Sequence, residues 1–421
     1  MPLIKPFPGL RPAPGRAADV AAPPYDVMNA SEARQMVQGR PWSFLHISRP
    51  EVDLPEGVDP YAPEAYAKAA ENLARMRREG VLVQDNSACF YVYRLTMGKH
   101  TQTGVVAAAS VAAYDQNRIR KHEFTRPNKE DDRVRQIEAL AAQTGPVFLV
   151  YRSHPDVDAC LARAAGKPPA VDITAADGVR HQLWVLDDGG VIAQLMQWFD
   201  AMPSLYVADG HHRSAAASRV AAAAGDDAGL PGEAAHDYFL SVIFPHDQVQ
   251  ILDYNRVVRD LNGLDRQQLL ESISGRFSID PSSAPVRPSA HGEFGMYLQG
   301  RWYRLTVEAD RIPRDDPVER LDVSILANEL LRPILGIADQ RTDNRIDFVG
   351  GIRGLEGLEA RVDSGEMAIA FAIRPTDMEA LMAVADAGEI MPPKSTWFEP
   401  KLRTGLVVTC PWSARCAGYL Y

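Results

Sequence analysis

Tyr206-Val207-Ala208-Asp209-Gly210-His211-His212-Arg213-Ser214 reads as an apolar strand that enters an Asp-Gly turn and leaves it as a helix. The free backbone N–H groups and the dipole of such a helix start favour an anion, and phosphate is the natural ligand. Gly210 lets the backbone approach that ligand closely, Arg213 offers a fork for phosphate oxygens, and Ser214 places a hydroxyl at the helix start. Asp209 is left to hold Mg²⁺. The plainer alternative is an Asp-Gly turn followed by two surface histidines. Adjacent histidines followed by arginine, directly at a strand-to-helix junction, favour the functional reading. Behind the turn, the alanine-rich run from Ser214 to Ala224 predicts a helix whose small side chains suit close packing.

Working outward, Val147 to Tyr151 predicts a buried strand and Asn128 to Gln143 a charged helix. Ala88 to Met97 and Thr103 to Tyr114 predict a hairpin turning at Gly98-Lys99-His100. Downstream, Gly225 to Gly232 reads as a loop, Tyr238 to Phe244 as a buried strand, and Gln250 to Val257 as one more. The first 27 residues hold nearly a quarter of the prolines. They predict an extended ribbon laid across the fold. A composition shift near residue 262 opens a second region with a helix at Leu264 to Arg276, a hairpin around Gly300 and an amphipathic helix at Asp322 to Arg332. Met367 to Ile373 reads as a strand returning to the first region. The expected division is therefore 1–261, 262–366 and 367–421.

Two further segments carry chemistry. In Arg118 to Arg133, Glu123 stands among Arg118, Arg120, Lys121 and Arg126, cations that stabilise an ionised carboxylate and can neutralise phosphate. Glu123 is accordingly a candidate base or magnesium ligand, with a solvated basic face as the alternative. In Met391 to Leu406 the prolines set a rigid loop presenting Lys394, Ser395 and Thr396. No GxxxxGK[ST], GxGxxG after a strand, HExxH or GxSxG occurs, so any nucleotide site is of another type.

Composition narrows the function classes. With 421 residues and 46% hydrophobic side chains, the chain predicts two or three packed units. Its 45 Lys+Arg against 55 Asp+Glu give a net charge of −10, which disfavours nucleic acid as the main ligand. No apolar run approaches the ~20 residues of a membrane span. The proline-rich start departs from a signal peptide, and a cytoplasmic location is expected. Cys89, Cys160, Cys410 and Cys416 match neither a disulfide framework nor a zinc site.

At Pro23 to Val27 (PPYDV), Lys121 to Arg133, Ala208 to Ala217 and Met391 to Leu406, in that order, the chain resembles the bacterial and archaeal family filed as domain of unknown function 1015. The resemblance covers all but the last dozen residues, Cys410 to Tyr421. More distantly, Asp209 to Arg213 resembles the phosphate-binding turn of the ParB and sulfiredoxin superfamily, which includes free-serine kinases. That resemblance implies an α/β fold with a ParB/sulfiredoxin-like nucleotide-binding core, a mixed sheet and an additional α+β subdomain. It implies that Gly210, His211, His212 and Arg213 cradle the phosphates of ATP or ADP, and that Asp209 helps to place Mg²⁺ or substrate. The expected activity is phosphoryl transfer to free L-serine or a related hydroxy-metabolite. Glu123, Asp209 and His212 are the expected catalytic groups, Ser214 and Lys394 further nucleotide contacts, and Arg126 and Arg133 the substrate carboxylate contacts. The expected partners are thus nucleotide and a small hydroxy amino acid, with a homodimer left open. A non-catalytic ParB-like regulator and a phosphatase using His211 or His212 as phospho-acceptor are the competing readings.

Overall fold

A computed structural model describes residues 1–224 and 235–410. The loop expected at Gly225 to Gly232, Cys416 and all but the first residue of the tail lie outside the described residues. The chain forms two compact units, Met1–Val249 with Pro400–Tyr421, and Gln250–Glu399.

The first unit is built on a nine-stranded mixed sheet. Its order is Ile119–Arg120, Leu205–Asp209, Val147–Tyr151, Tyr238–Pro245, His100–Ser110, Phe90–Met97, Arg180–Leu186 and Val171–Thr174, with Ile4–Lys5 also pairing His100–Ser110. The expected hairpin is present as Phe90–Met97 and His100–Ser110 in antiparallel register. Central strands read as continuous apolar runs because both faces are covered. Val105, Leu149, Val207 and Ile243 are accordingly fully buried in one core.

Two pairings place the site. Leu205–Asp209 runs parallel to Ile119–Arg120, so the chain leaves both strands at the same edge of the sheet. One exit carries His122 and Glu123; the other carries Asp209 and Gly210. Against Val147–Tyr151, Leu205–Asp209 is antiparallel and slips by one residue between Val207 and Asp209. Such a bulge re-aims the side chain that follows it, and here that side chain is Asp209.

Pro127–Leu140 and His211–Ala224 form helices joined through Val134, Ile137, Ala216 and Val220. Small residues on the second helix allow this approach, and Arg219 reaches back to Asp131 at 2.8 Å and Glu130 at 3.3 Å. The proline-rich ribbon is laid across the unit, bridging Leu10 to Val408 and Ala22 to Thr404, but a helical turn at Ala17–Val20 interrupts the extended chain the sequence predicts.

In the second unit, a six-stranded antiparallel sheet runs Phe277–Ser282, Arg301–Val307, Glu293–Leu298, Ile369–Ile373, Tyr254–Val258, Ile346–Gly350. The division thus differs from the one expected at residues 261/262 and 366/367. Tyr254–Val258 and Ile369–Ile373 pair with each other here, and the chain rejoins the first unit only at Pro400. An apolar strand pattern reports burial but not which sheet supplies the partner. The amphipathic helix from Asp322 keeps α geometry to Leu326 and widens into a π turn over Ala327–Leu331.

Candidate active site

The site grows from the Asp209-Gly210 turn. Gly210 has φ +97°, in the left-handed region, and a Cβ there would lie 3.3 Å from Val147 Cα. Only glycine takes this turn without strain. Its carbonyl accepts from the amides of Arg213 at 2.8 Å and Ser214 at 3.1 Å, closing the first helical turn. As the first two helical residues, His211 and His212 have amides with no partner inside the helix. Gly210→Ala is expected to cost about 1–3 kcal/mol through backbone strain. A urea midpoint equal to the parent's would contradict that.

Asp209 faces Lys401, whose Nζ lies 3.5 Å from Oδ2. Desolvation alone would raise the Asp209 pKa, but Lys401, Arg213, His211 and the Gly210 amide outweigh it and hold the carboxyl down to about 2. Beside it stand two buried imidazoles, His122 and His211, 2% and 3% exposed, meeting edge to face with ring centroids 4.5 Å apart. Burial pushes the His122 pKa down to about 4. His211 falls well below its ordinary value, through burial and then through its neighbour His122. Glu123 is half-exposed at the rim, with Oε2 3.7 Å from His211 Nδ1.

His212 accepts the Arg126 amide on Nε2 at 3.0 Å. Its lone pair on that nitrogen is therefore engaged, and burial lowers its pKa. The Arg126 side chain is exposed next to it.

Other expected contacts are spent inside the fold. Ser214 is fully buried and its Oγ donates to the His211 carbonyl at 3.1 Å. Arg213 donates to the Pro146 carbonyl at 2.9 Å and lies 3.4 Å from Asp26. Arg133 pairs with Asp132 at 2.6 Å and lies 3.9 Å over the Tyr25 ring. Arg133, Arg213 and Tyr25 line a cavity of about 40 Å³, space for a few waters rather than a nucleotide. Arg118 donates to the carbonyls of Asp200 and Met202, both at 2.8 Å, and Lys121 sits 4.0 Å over the Tyr114 ring. Neither is drawn to Glu123 as the basic run suggests. Lys394 belongs to the second unit, with φ +58° and its amine 5.5 Å from the Tyr254 ring centroid. Its carbonyl accepts from the fully buried Arg256 at 3.0 Å, which pins the proline loop.

The family model described as "Protein of unknown function (DUF1015)" matches residues 4–324. The chain belongs to this family. In this DUF1015 protein the matched span contains every group of the Asp209 cluster except Lys401. No curated protein matches the chain. Among solved structures, it is similar to a free serine kinase in complex with AMP, at 13% identity and a TM-score of 0.34 over 70% of this chain and 86% of that one. SbnI with C-terminal truncation from Staphylococcus aureus gives 12% and 0.37 over 72% and 87%. A conserved hypothetical protein from Pyrococcus furiosus gives 14% and 0.33 over 70% and 90%. These are distant likenesses, and no residue role is carried over from them.

Sequence reading missed His122, Lys401, Tyr25 and Asp26 as members of this cluster. His122 reads as one more polar residue of a basic run. Its signal was its place one residue before Glu123, just past a short strand. Lys401 was overlooked in favour of Lys394, seven residues earlier in the same segment.

Proposed function

We propose that this protein is a small-molecule kinase that transfers a phosphoryl group from ATP or ADP to the hydroxyl of free L-serine or a related hydroxy-metabolite, giving O-phosphoserine in the first case. The observation that carries this reading is the meeting, at one edge of a sheet, of an ionised Asp209, the two N-terminal amides of a helix, the cations Lys401 and Arg126, and the Glu123 carboxylate. Phosphoryl transfer asks a protein for position and charge rather than covalent chemistry. The His211 and His212 amides with Lys401 suit the transferring phosphate, and Arg126 suits the carboxylate of an amino acid. Asp209 supplies an oxygen donor of the kind Mg²⁺ prefers, and its side chain, 39% exposed, is reachable. Bound there, Mg²⁺ would neutralise charge on the phosphates. The acceptor oxygen forms its bond to phosphorus as the bridging bond to the leaving nucleotide breaks, and the hydroxyl proton passes to Glu123.

The engaged Nε2 of His212 argues against a phosphohistidine on that nitrogen, and so favours direct transfer. The test is nucleotide consumption by the purified protein with Mg²⁺ and ATP or ADP, with and without L-serine. Serine-dependent phosphoserine without a phosphoenzyme is the expected outcome. Nucleotide binding without turnover on serine or other small hydroxy acids would replace this reading with a nucleotide-responsive regulator.

A further inference from the structure

We propose that His122, Glu123 and His211 form a binding site for a divalent transition-metal ion of the Zn²⁺ or Co²⁺ class, distinct from the Mg²⁺ that accompanies a nucleotide. One nitrogen of each histidine and one carboxylate oxygen of Glu123 lie within 4.8 Å of one another. His211 Nδ1 and Glu123 Oε2, at 3.7 Å, are already near the separation of about 3.4 Å that two donors take on a tetrahedral ion. Closing the remaining separations, none above 4.8 Å, takes rotation of these side chains.

The second observation is an unmet hydrogen-bonding need. Both nitrogens of His122 and Nε2 of His211 are buried and make no hydrogen bond of ordinary geometry among the described residues. Polar atoms at such depth are nearly always satisfied, and here the desolvation is only partly offset, by the Val207 backbone and the Asp209 charge at His122 and by the Asp209 charge at His211. A cation held by Nδ1 of His211 and one nitrogen of His122 would use one lone pair from each ring and leave each ring's proton on its other nitrogen. Asp209 lies near enough for its charge to act on both histidines and adds to the attraction. The opposing charge on His211 is that of Lys121, whose ammonium is seated on the Tyr114 ring.

The donor set selects the ion. Two imidazoles with one carboxylate suit zinc, cobalt, iron and manganese, whereas magnesium and calcium take oxygen. Three protein ligands also leave a position open, as in catalytic rather than structural sites. Glu123 lies at the solvent side, so that position is accessible to a hydroxyl or phosphate oxygen. On the kinase reading, an acceptor hydroxyl bound there would be acidified by the ion, and its proton would pass to the carboxylate oxygen of Glu123 that does not hold the ion. The metal site itself does not depend on that reading.

The test is a Co²⁺ titration of the untagged full chain after chelator treatment, followed by Zn²⁺ competition, with no nucleotide or acceptor present. One equivalent of Co²⁺ should bind with the visible bands of nitrogen and oxygen coordination, yield to Zn²⁺, and resist a large excess of Mg²⁺. His122→Asn and Glu123→Gln should each weaken binding by about 100-fold or more, since even outer-shell changes cost 10- to 100-fold. Glu123 is half-exposed, so its variant tests the site even where the His122 variant fails to fold. Absence of a stoichiometric Co²⁺ complex, or parent-like affinity in Glu123→Gln, overturns the site. Failure of serine phosphorylation leaves it standing, and turnover by a metal-free Glu123→Gln variant would overturn only the role assigned to the ion.

Discussion

Replacing Asp209 by asparagine is expected to lower phosphoryl transfer by about 10²–10³-fold, the cost of deleting one preorganised electrostatic group, while the protein stays folded. Asp209 is the anion that a bulge aims at the helix start, and its partners Lys401, Arg213 and His211 converge on it. Asparagine keeps the shape and removes the charge. The pair with Lys401 is partly exposed, at 39% and 22% for the two side chains, so its loss costs about 1 kcal/mol or less. Activity and stability should therefore separate, and melting curves run beside steady-state kinetics read both. Parent-like turnover in this variant would remove Asp209 from the mechanism. The depressed pKa adds a second check. The carboxyl is ionised down to about pH 2, so Asp209 should contribute no acid limb to the activity profile above pH 4.

Acid should unfold this protein well before its carboxylates are protonated, and His181 is one cause. This side chain is fully buried. Arg403 Nε donates to its Nε2 at 3.4 Å, and Tyr93 Oη is 2.7 Å from its Nδ1. Arginine can only donate, so Nε2 accepts and Nδ1 carries the proton. Burial, then the charge of Arg403, pushes the His181 pKa down to about 3 from an ordinary 6.5. Between those values the unfolded chain binds the proton and the folded chain does not. Stability therefore falls as pH drops through this window, by about 1.4 kcal/mol per unit for the one site. From pH 6 to pH 4 the loss is about 3 kcal/mol, a large share of a usual stability. Denaturant unfolding at a series of pH values should show a slope shallower by one proton in His181→Gln. Equal slopes in the two proteins would count against the buried neutral ring.

The Asp-Gly turn was legible because its signals are local. Strand hydropathy, a glycine that tolerates positive φ, and a polar helix start all fall within nine residues. Glu123 was legible as a candidate, but its setting was not. Of the flanking cations that looked like its ring, Arg118 is taken by carbonyls and Lys121 by an aromatic face. What puts Glu123 beside His211 is the parallel pairing of Leu205–Asp209 with a two-residue strand at Ile119–Arg120. A strand that short leaves no periodicity to read. Lys401 was hidden for a different reason. Its partner lies 192 residues earlier, and nothing in a proline-rich segment says which of two lysines will travel to it. Tyr25 and Asp26 sit on an irregular ribbon, where no repeating pattern separates inward from outward side chains.

The pairing of Lys401 with Asp209 also sets an order of events during synthesis. Residues 250–399 leave the ribosome between the two partners and fold into their own unit. At about 5–20 residues per second, Asp209 waits roughly 10–40 s for its lysine. The bridges from Leu10 to Val408 and from Ala22 to Thr404 wait for the same stretch. A nascent chain arrested in the second unit therefore exposes the Asp209-Gly210 turn without its lysine and without the strap that covers the proline ribbon. Such a chain is a substrate for chaperones and proteases until its last residues arrive.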